Sequence, residues 1–93
     1  METLEIIKVF KIKNRLGLHA RAAASFVRLS NKFSSDIKLI KDGYEVNGKS
    51  ILGILSLAAA QGSELQILAK GEDAEEAIGE IEKLIESGFG EGI

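Results

Sequence analysis

Two short segments that alternate apolar and polar residues, Asp36 to Lys41 and Tyr44 to Asn47, are joined by Asp42-Gly43. Asp-Gly supplies the left-handed backbone that a tight two-residue connection needs, so the two segments must fold back on each other as a β-hairpin. With Ile37 and Leu39 on one face, that hairpin has one side to cover, and the rest of the chain must provide both more sheet and a lid. Glu5 to Lys13 reads as a half-buried strand, with Phe10 and Ile12 on one side and Lys11 and Lys13 on the other. Glu64 to Lys70 sets Leu65, Ile67 and Ala69 against Gln66, Leu68 and Lys70, which makes a fourth strand.

Three segments run at the helical period instead. From about Ala20 to Lys32, Arg21, Ser25, Arg28 and Lys32 form a polar stripe, and Ala23, Phe26, Leu29, Ser30 and Phe33 a mostly apolar one. Ser50 opens a short helix, Ile51 to Leu57, that is followed by alanines and ended by Gly62. The clearest stripe comes last: Ala74, Ala77, Ile78, Ile81, Leu84 and Ile85, with Asp73 and Glu76 spaced as a capping pair and Gly88 as the stop. Its other face carries Glu75, Glu80, Glu82 and Glu86 and is read as solvated. The order β-α-β-β-α-β-α predicts an α+β sandwich, helices on one face of a sheet. At 93 residues this is one domain, residues 1–93, with 88–93 expected to be a loose tail.

Composition removes several classes of function. A net charge of −2, with the basic residues spread along the chain, argues against a general nucleic-acid binder. The absence of cysteine excludes a disulfide framework, thiol chemistry and zinc-finger spacing. Met1 to Glu5 lacks the basic start and apolar run of a signal peptide, and no apolar stretch approaches membrane-spanning length. A soluble cytoplasmic protein without direct membrane insertion is expected.

The chemistry concentrates on the one histidine. In Leu16-Gly17-Leu18-His19-Ala20-Arg21-Ala22-Ala23-Ala24, a turn meets a helix that begins near Ala20, which puts His19 at its N-cap or next to it. The first N–H groups of a helix lack internal partners and carry the positive end of its dipole. No Ser, Thr, Asp or Asn precedes Ala20 to occupy them, so the amides of Ala20, Arg21 and Ala22 are candidate donors to an anion. Arg21 adds a guanidinium, and the same positive field disfavours imidazolium. A neutral imidazole beside anion donors is suited to phosphoryl capture. A second histidine, a cysteine or a carboxylate at ligand spacing is missing, so neither a metal site nor a nucleophilic triad is expected at His19.

Gly17-Leu18-His19-Ala20-Arg21, followed by Val46-Asn47-Gly48-Lys49-Ser50-Ile51-Leu52-Gly53-Ile54-Leu55-Ser56-Leu57, resembles the HPr family, the histidine phosphocarriers of the bacterial phosphoenolpyruvate-dependent sugar phosphotransferase system. The likeness runs from about Phe10 to Glu91. It implies an open-faced β-sandwich with an antiparallel sheet in the order 1-4-2-3, His19 as phosphoryl acceptor through Nδ1, Arg21 as its stabiliser, and no cofactor. It further implies a monomeric carrier rather than an enzyme, which takes phosphate from enzyme I and passes it to enzyme IIA. One departure stands out, since the family usually has proline after the arginine and this chain has Ala22.

Ser50 reads from the sequence as an N-cap. By resemblance it is also a site of regulatory phosphorylation by an HPr kinase/phosphorylase. The apolar residues Ile51, Leu52, Ile54, Leu55 and Leu57 cannot all face inward on so short a helix. Ile51, Leu52 and Leu55, rimmed by Arg28 and Lys49, are therefore read as a partner-docking patch. The rival readings are a carrier of a nitrogen-related or purely regulatory phosphorelay on the same fold, an acylphosphatase-like enzyme, and an RNA-binding module. The second lacks a suitable asparagine on another element, and the third lacks an exposed aromatic pair for stacking.

Overall fold

The computed structural model describes residues 4–91. Seven elements follow in the predicted order: β1 Glu5–Lys11, α1 Ala20–Ser30, β2 Asp36–Lys41, β3 Tyr44–Asn47, α2 Ile51–Ser56, β4 Glu64–Lys70 and α3 Ala74–Glu86. The hairpin turns as read, with Asp42 and Gly43 both at positive φ. Three ends fall short of expectation, each for a backbone reason. β1 stops at Lys11 because beyond it the partner strand has become a turn, where Ile12 bonds to Ser63 and Gly62. α1 tightens after Ser30 into bonds spanning three residues, Lys32 to Leu29 and Phe33 to Ser30. α2 tightens in the same way after Ser56, ahead of Ala58 at a φ of 49°.

The sheet is antiparallel throughout, in the order β1-β4-β2-β3. β4 therefore fills the centre although it comes last, with Leu65 opposite Phe10 and Ile67 opposite Leu39. Alternation decides what faces inward: Phe10, Ile12, Ile37, Leu39, Leu65, Ile67 and Ala69 are all buried, whereas Ile7 and Val9 are exposed on the open face. The helices cover the buried face, with α3 against β1 and β4 and α1 against both other helices. Phe26, Ile54, Ile81 and Ile85 seal the core, each burial contributing about 1.5–3 kcal/mol before conformational entropy is subtracted.

The N-terminus of α3 departs from the expected capping box. Asp73 stands at the N-cap position, but its carboxylate makes no capping bond. It turns instead to the α1–β2 loop, where it accepts from the Ser35 hydroxyl, from the Ser34 amide at 2.8 Å and from the Ser35 amide at 3.0 Å. Two adjacent amides and a hydroxyl satisfy a carboxylate better than one orphan amide at a helix end, and the contact ties α3 to a loop distant in sequence.

These bonds, led by the Ser35 hydroxyl and then the Ser34 amide, hold the Asp73 carboxyl below the usual carboxylate range. A carboxyl whose folded pKa is depressed stabilises the fold above its unfolded value, near 3.9, and loses that contribution as pH falls through the folded value. Asp73→Asn should therefore lower the urea midpoint at pH 7, and the gap from wild type should narrow at pH 2.5. An equal gap at both pH values would show that the carboxylate charge is irrelevant there.

Candidate functional site

The site is built by the turn between β1 and α1. Asn14 is fully buried and donates through Nδ2 to the Gly17 carbonyl at 2.8 Å, while the Gly17 N–H bonds back to the Asn14 carbonyl at 3.1 Å. Gly17 has a φ of 67° and lies so close to the α2–β4 loop that a Cβ would collide with the Ala59 carbonyl and sit 2.9 Å from Ala60 Cα. Only glycine meets both demands. Leu18 is then buried and donates its N–H to the Ala59 carbonyl at 2.9 Å, so His19 leaves a fixed point in extended conformation as the N-cap of α1.

The imidazole caps the helix itself. Nδ1 accepts from the Arg21 N–H at 3.3 Å, and Nε2 lies 2.6 Å from Glu91 Oε2. An ionised carboxylate can only accept, which assigns the proton to Nε2 and leaves a lone pair on Nδ1 facing the first turn of α1. The arrangement is half-sheltered: the side chains of His19 and Glu91 are 26% and 18% exposed. The second oxygen of Glu91 accepts from Asn14 Nδ2 at 3.0 Å, so one buried amide group holds both the turn and the carboxylate.

Glu91 falls in the stretch expected to be a loose tail, and for residues 88–91 that expectation is corrected. Helix α3 ends in a Schellman motif: Gly88 at a φ of 65° bonds to the Ile85 carbonyl, and the Phe89 N–H to the Leu84 carbonyl. Phe89 is buried in the core, and this reversal carries Glu91 back to the histidine. Residues 92–93 of the tail lie outside the described residues.

Of the anion donors predicted from the sequence, the Arg21 amide is occupied by the imidazole, while the Arg21 side chain is exposed. Ala20 and Ala22 occupy the same first turn, Ala22 fully buried. Ser50 caps α2 through Oγ, which accepts from the Gly53 N–H at 3.0 Å. Ile51 and Leu52 stand 41% and 79% exposed on the helix that packs against α1, but Leu55 is half-buried against the core. The two basic rim residues differ. Arg28 is exposed beside Ser25, whereas Lys49 is half-buried and gives its ammonium to the Phe33 carbonyl at 2.8 Å, where it serves the end of α1. Sequence reasoning missed Asn14 and Glu91, which are brought to the histidine only by the tertiary fold.

Two surface grooves, one lined by Ile37, Val46 and Asn47 and one by Val9, Ile40 and Gln66, lie on the sheet and do not include His19. Among the described residues no cluster of three or more His, Cys, Asp or Glu is placed to hold a metal, and no helix is long and apolar enough to cross a membrane. The half-sheltered imidazole stands at a helix N-terminus on the surface, outside both grooves.

Comparison with known proteins agrees. A family model described as the PTS HPr component phosphorylation site matches residues 6–87. The phosphocarrier protein HPr of Treponema pallidum is 41% identical over 86 residues, 92% of this chain and 98% of the relative. Crystal structures of HPr from Thermoanaerobacter tengcongensis align with TM-scores of 0.86 (49% identity, all of both chains) and, for an HPr dimer, 0.75 (54% identity, 88% of this chain and 94% of that one). This chain belongs to the HPr family, the phosphocarrier proteins of the phosphotransferase system.

The departure at Ala22 can be tested directly. Residue 22 is the third of α1, where an N–H has no partner within the helix and proline fits the backbone. Ala22→Pro should raise stability by about 0.4–1 kcal/mol through the unfolded chain. A lower melting temperature would show that the Ala22 N–H or its packing is needed.

Proposed function

We propose that His19 Nδ1 is the phosphoryl acceptor of this carrier, taking the group from enzyme I and passing it to enzyme IIA. The observation that carries this reading is the lone pair on Nδ1, aimed along the first turn of α1 with the proton fixed on Nε2. In acceptance, the Nδ1 lone pair attacks phosphorus, and the bond from phosphorus to the donor nitrogen breaks with its electron pair returning to the donor ring. In donation the same step runs outward: the acceptor nitrogen attacks and the Nδ1–P bond breaks. Once Nδ1 carries phosphorus, the Arg21 amide meets a phosphoryl oxygen instead of the ring, and the amide of Ala20 and the Arg21 guanidinium serve the same charge. A charge-assisted bond of this kind stabilises by about 1.5–3 kcal/mol. Neither step requires a metal or a cofactor on this chain.

The exposed Ile51 and Leu52 beside α1, with Arg28 at the edge, are the surface a partner would cover. Leu55 and Lys49 belong to it less, since one packs inward and the other is engaged by Phe33. A monomer suffices for this transfer. The relative described as an HPr dimer makes the solution state of this chain a separate measurement.

Incubation with enzyme I and phosphoenolpyruvate should give an acid-labile phosphoryl adduct on wild type and none on folded His19→Ala. An adduct retained by the variant would refute His19 as acceptor.

Ser50 is proposed as a regulatory phosphorylation site acting through docking. Its hydroxyl lies at the start of α2 next to Ile51 and Leu52, so an added charge would have to be desolvated by any partner covering them. Ser50→Asp should leave melting unchanged or slightly raised, by about 0.3–1 kcal/mol, and raise the KM for phosphorylation by enzyme I. Equal KM at every salt concentration would reduce Ser50 to a helix cap.

A further inference from the structure

Glu91 has no part in the transfer as derived so far, yet it makes the shortest bond to the histidine. Its geometry is held from three directions: Phe89 is buried in the core, Gly88 and Phe89 close the end of α3, and Asn14, fully buried, grips the second oxygen. A carboxylate fixed so firmly on Nε2 bears on the ring's proton. Resting on the reading of His19 as phosphoryl acceptor, we propose that Glu91 is a positioning residue that keeps a proton on Nε2 through the whole transfer cycle, so that the charged carrier is a phosphoimidazolium.

The chemistry follows from the valence of the ring. Neutral imidazole with its proton on Nε2 has one lone pair, on Nδ1. When that pair bonds phosphorus, the Nε2 proton either stays, giving a cationic ring, or departs, giving a neutral phosphoimidazole. The cationic ring is the better leaving group, because breaking its N–P bond returns neutral imidazole rather than imidazolate. No proton then has to enter or leave as phosphorus moves: the N–P bond and its electron pair change hands, and the Nε2–H bond persists.

The charges around the ring show why a carboxylate is needed. The elements about it bring Arg21 on α1, Arg15 in the preceding turn, the Lys13–Glu86 pair joining that turn to α3, and Glu91; α2 and residues 57–62 carry no charge. The N-terminal end of α1 and the two arginines all bring positive charge. Glu91 is the anion in direct contact with Nε2, and the Arg21 amide meets Nδ1, the nitrogen that would carry the phosphoryl group. Each half of the phosphoimidazolium thus has its own counter-charge.

The test uses the full chain with Glu91→Gln and Glu91→Asp. In Gln one of the two oxygens becomes an NH2 donor, so a side chain placed as Glu91 is cannot accept from His19 at one position and Asn14 at the other. Nitrogen-15 shifts of the uncharged ring should place the proton on Nε2 in wild type and divide it between the two nitrogens in Glu91→Gln. After charging by enzyme I and phosphoenolpyruvate, donation to an enzyme IIA domain should match wild type at pH 6 and be about tenfold slower at pH 8, the worth of one charge-assisted hydrogen bond. Glu91→Asp should recover part of the loss at pH 8. Identical ring shifts and identical pH profiles for wild type and Glu91→Gln would overturn the proposal while leaving His19 as acceptor. A wild-type chain that takes no acid-labile phosphoryl group would instead overturn the acceptor reading on which it rests.

Discussion

The backbone of Gly17 lies against the Ala59 carbonyl with no room for a side chain, and the placement of the histidine depends on that contact. The approach fixes the turn, the turn buries Leu18, and Leu18 delivers His19 to the first residue before α1. Any larger residue at 17 would meet backbone rather than a flexible side chain, and it would also have to adopt positive φ. The cost would appear as displacement of the imidazole from the helix end, since the α2–β4 loop is itself held by the Ile12–Ser63 and Gly62–Ile12 bonds. Fold and chemistry are joined at this one residue.

Around that contact the molecule divides labour between rigid and open parts. The sheet and the inner faces of the helices form one continuous core, in which Phe26, Ile54, Ile81 and Ile85 are sealed from water. The surface we propose to work is the reverse: Arg21, Arg28, Ile51 and Leu52 are exposed and the imidazole is half-sheltered. On the proposed reading of His19, an acceptor must be reachable and yet oriented. Orientation comes from hydrogen bonds behind the ring rather than from walls around it.

Most of the architecture was legible because its signals are local. Asp42-Gly43 dictated the hairpin, alternation in Glu64–Lys70 separated the faces of the central strand, and the stripe ending at Ile85 marked α3. The family motif supplied the strand order, which periodicity alone does not fix. What the sequence hid were contacts between distant residues of ordinary type. Asp73 looked like a helix cap and instead holds Ser34 and Ser35. Glu91 stood past the last periodic element, and nothing near it in sequence says that Phe89 turns inward. Gly88 was read as a stop, but a Schellman end also sets the direction in which the chain continues. Lys49, in a short polar stretch, gave no sign that a carbonyl of the α1–β2 connection would claim it.

If the fold selects Nδ1 of His19 by placing the proton on Nε2, phosphorus must bond that nitrogen alone. Nitrogen-15 and phosphorus-31 spectra of the ring-labelled chain, charged by enzyme I and phosphoenolpyruvate, read the bonded nitrogen directly. A single phosphorus–nitrogen coupling at Nδ1 of His19 is the expected result. A phosphoryl group on Nε2, or on any other residue, would contradict it.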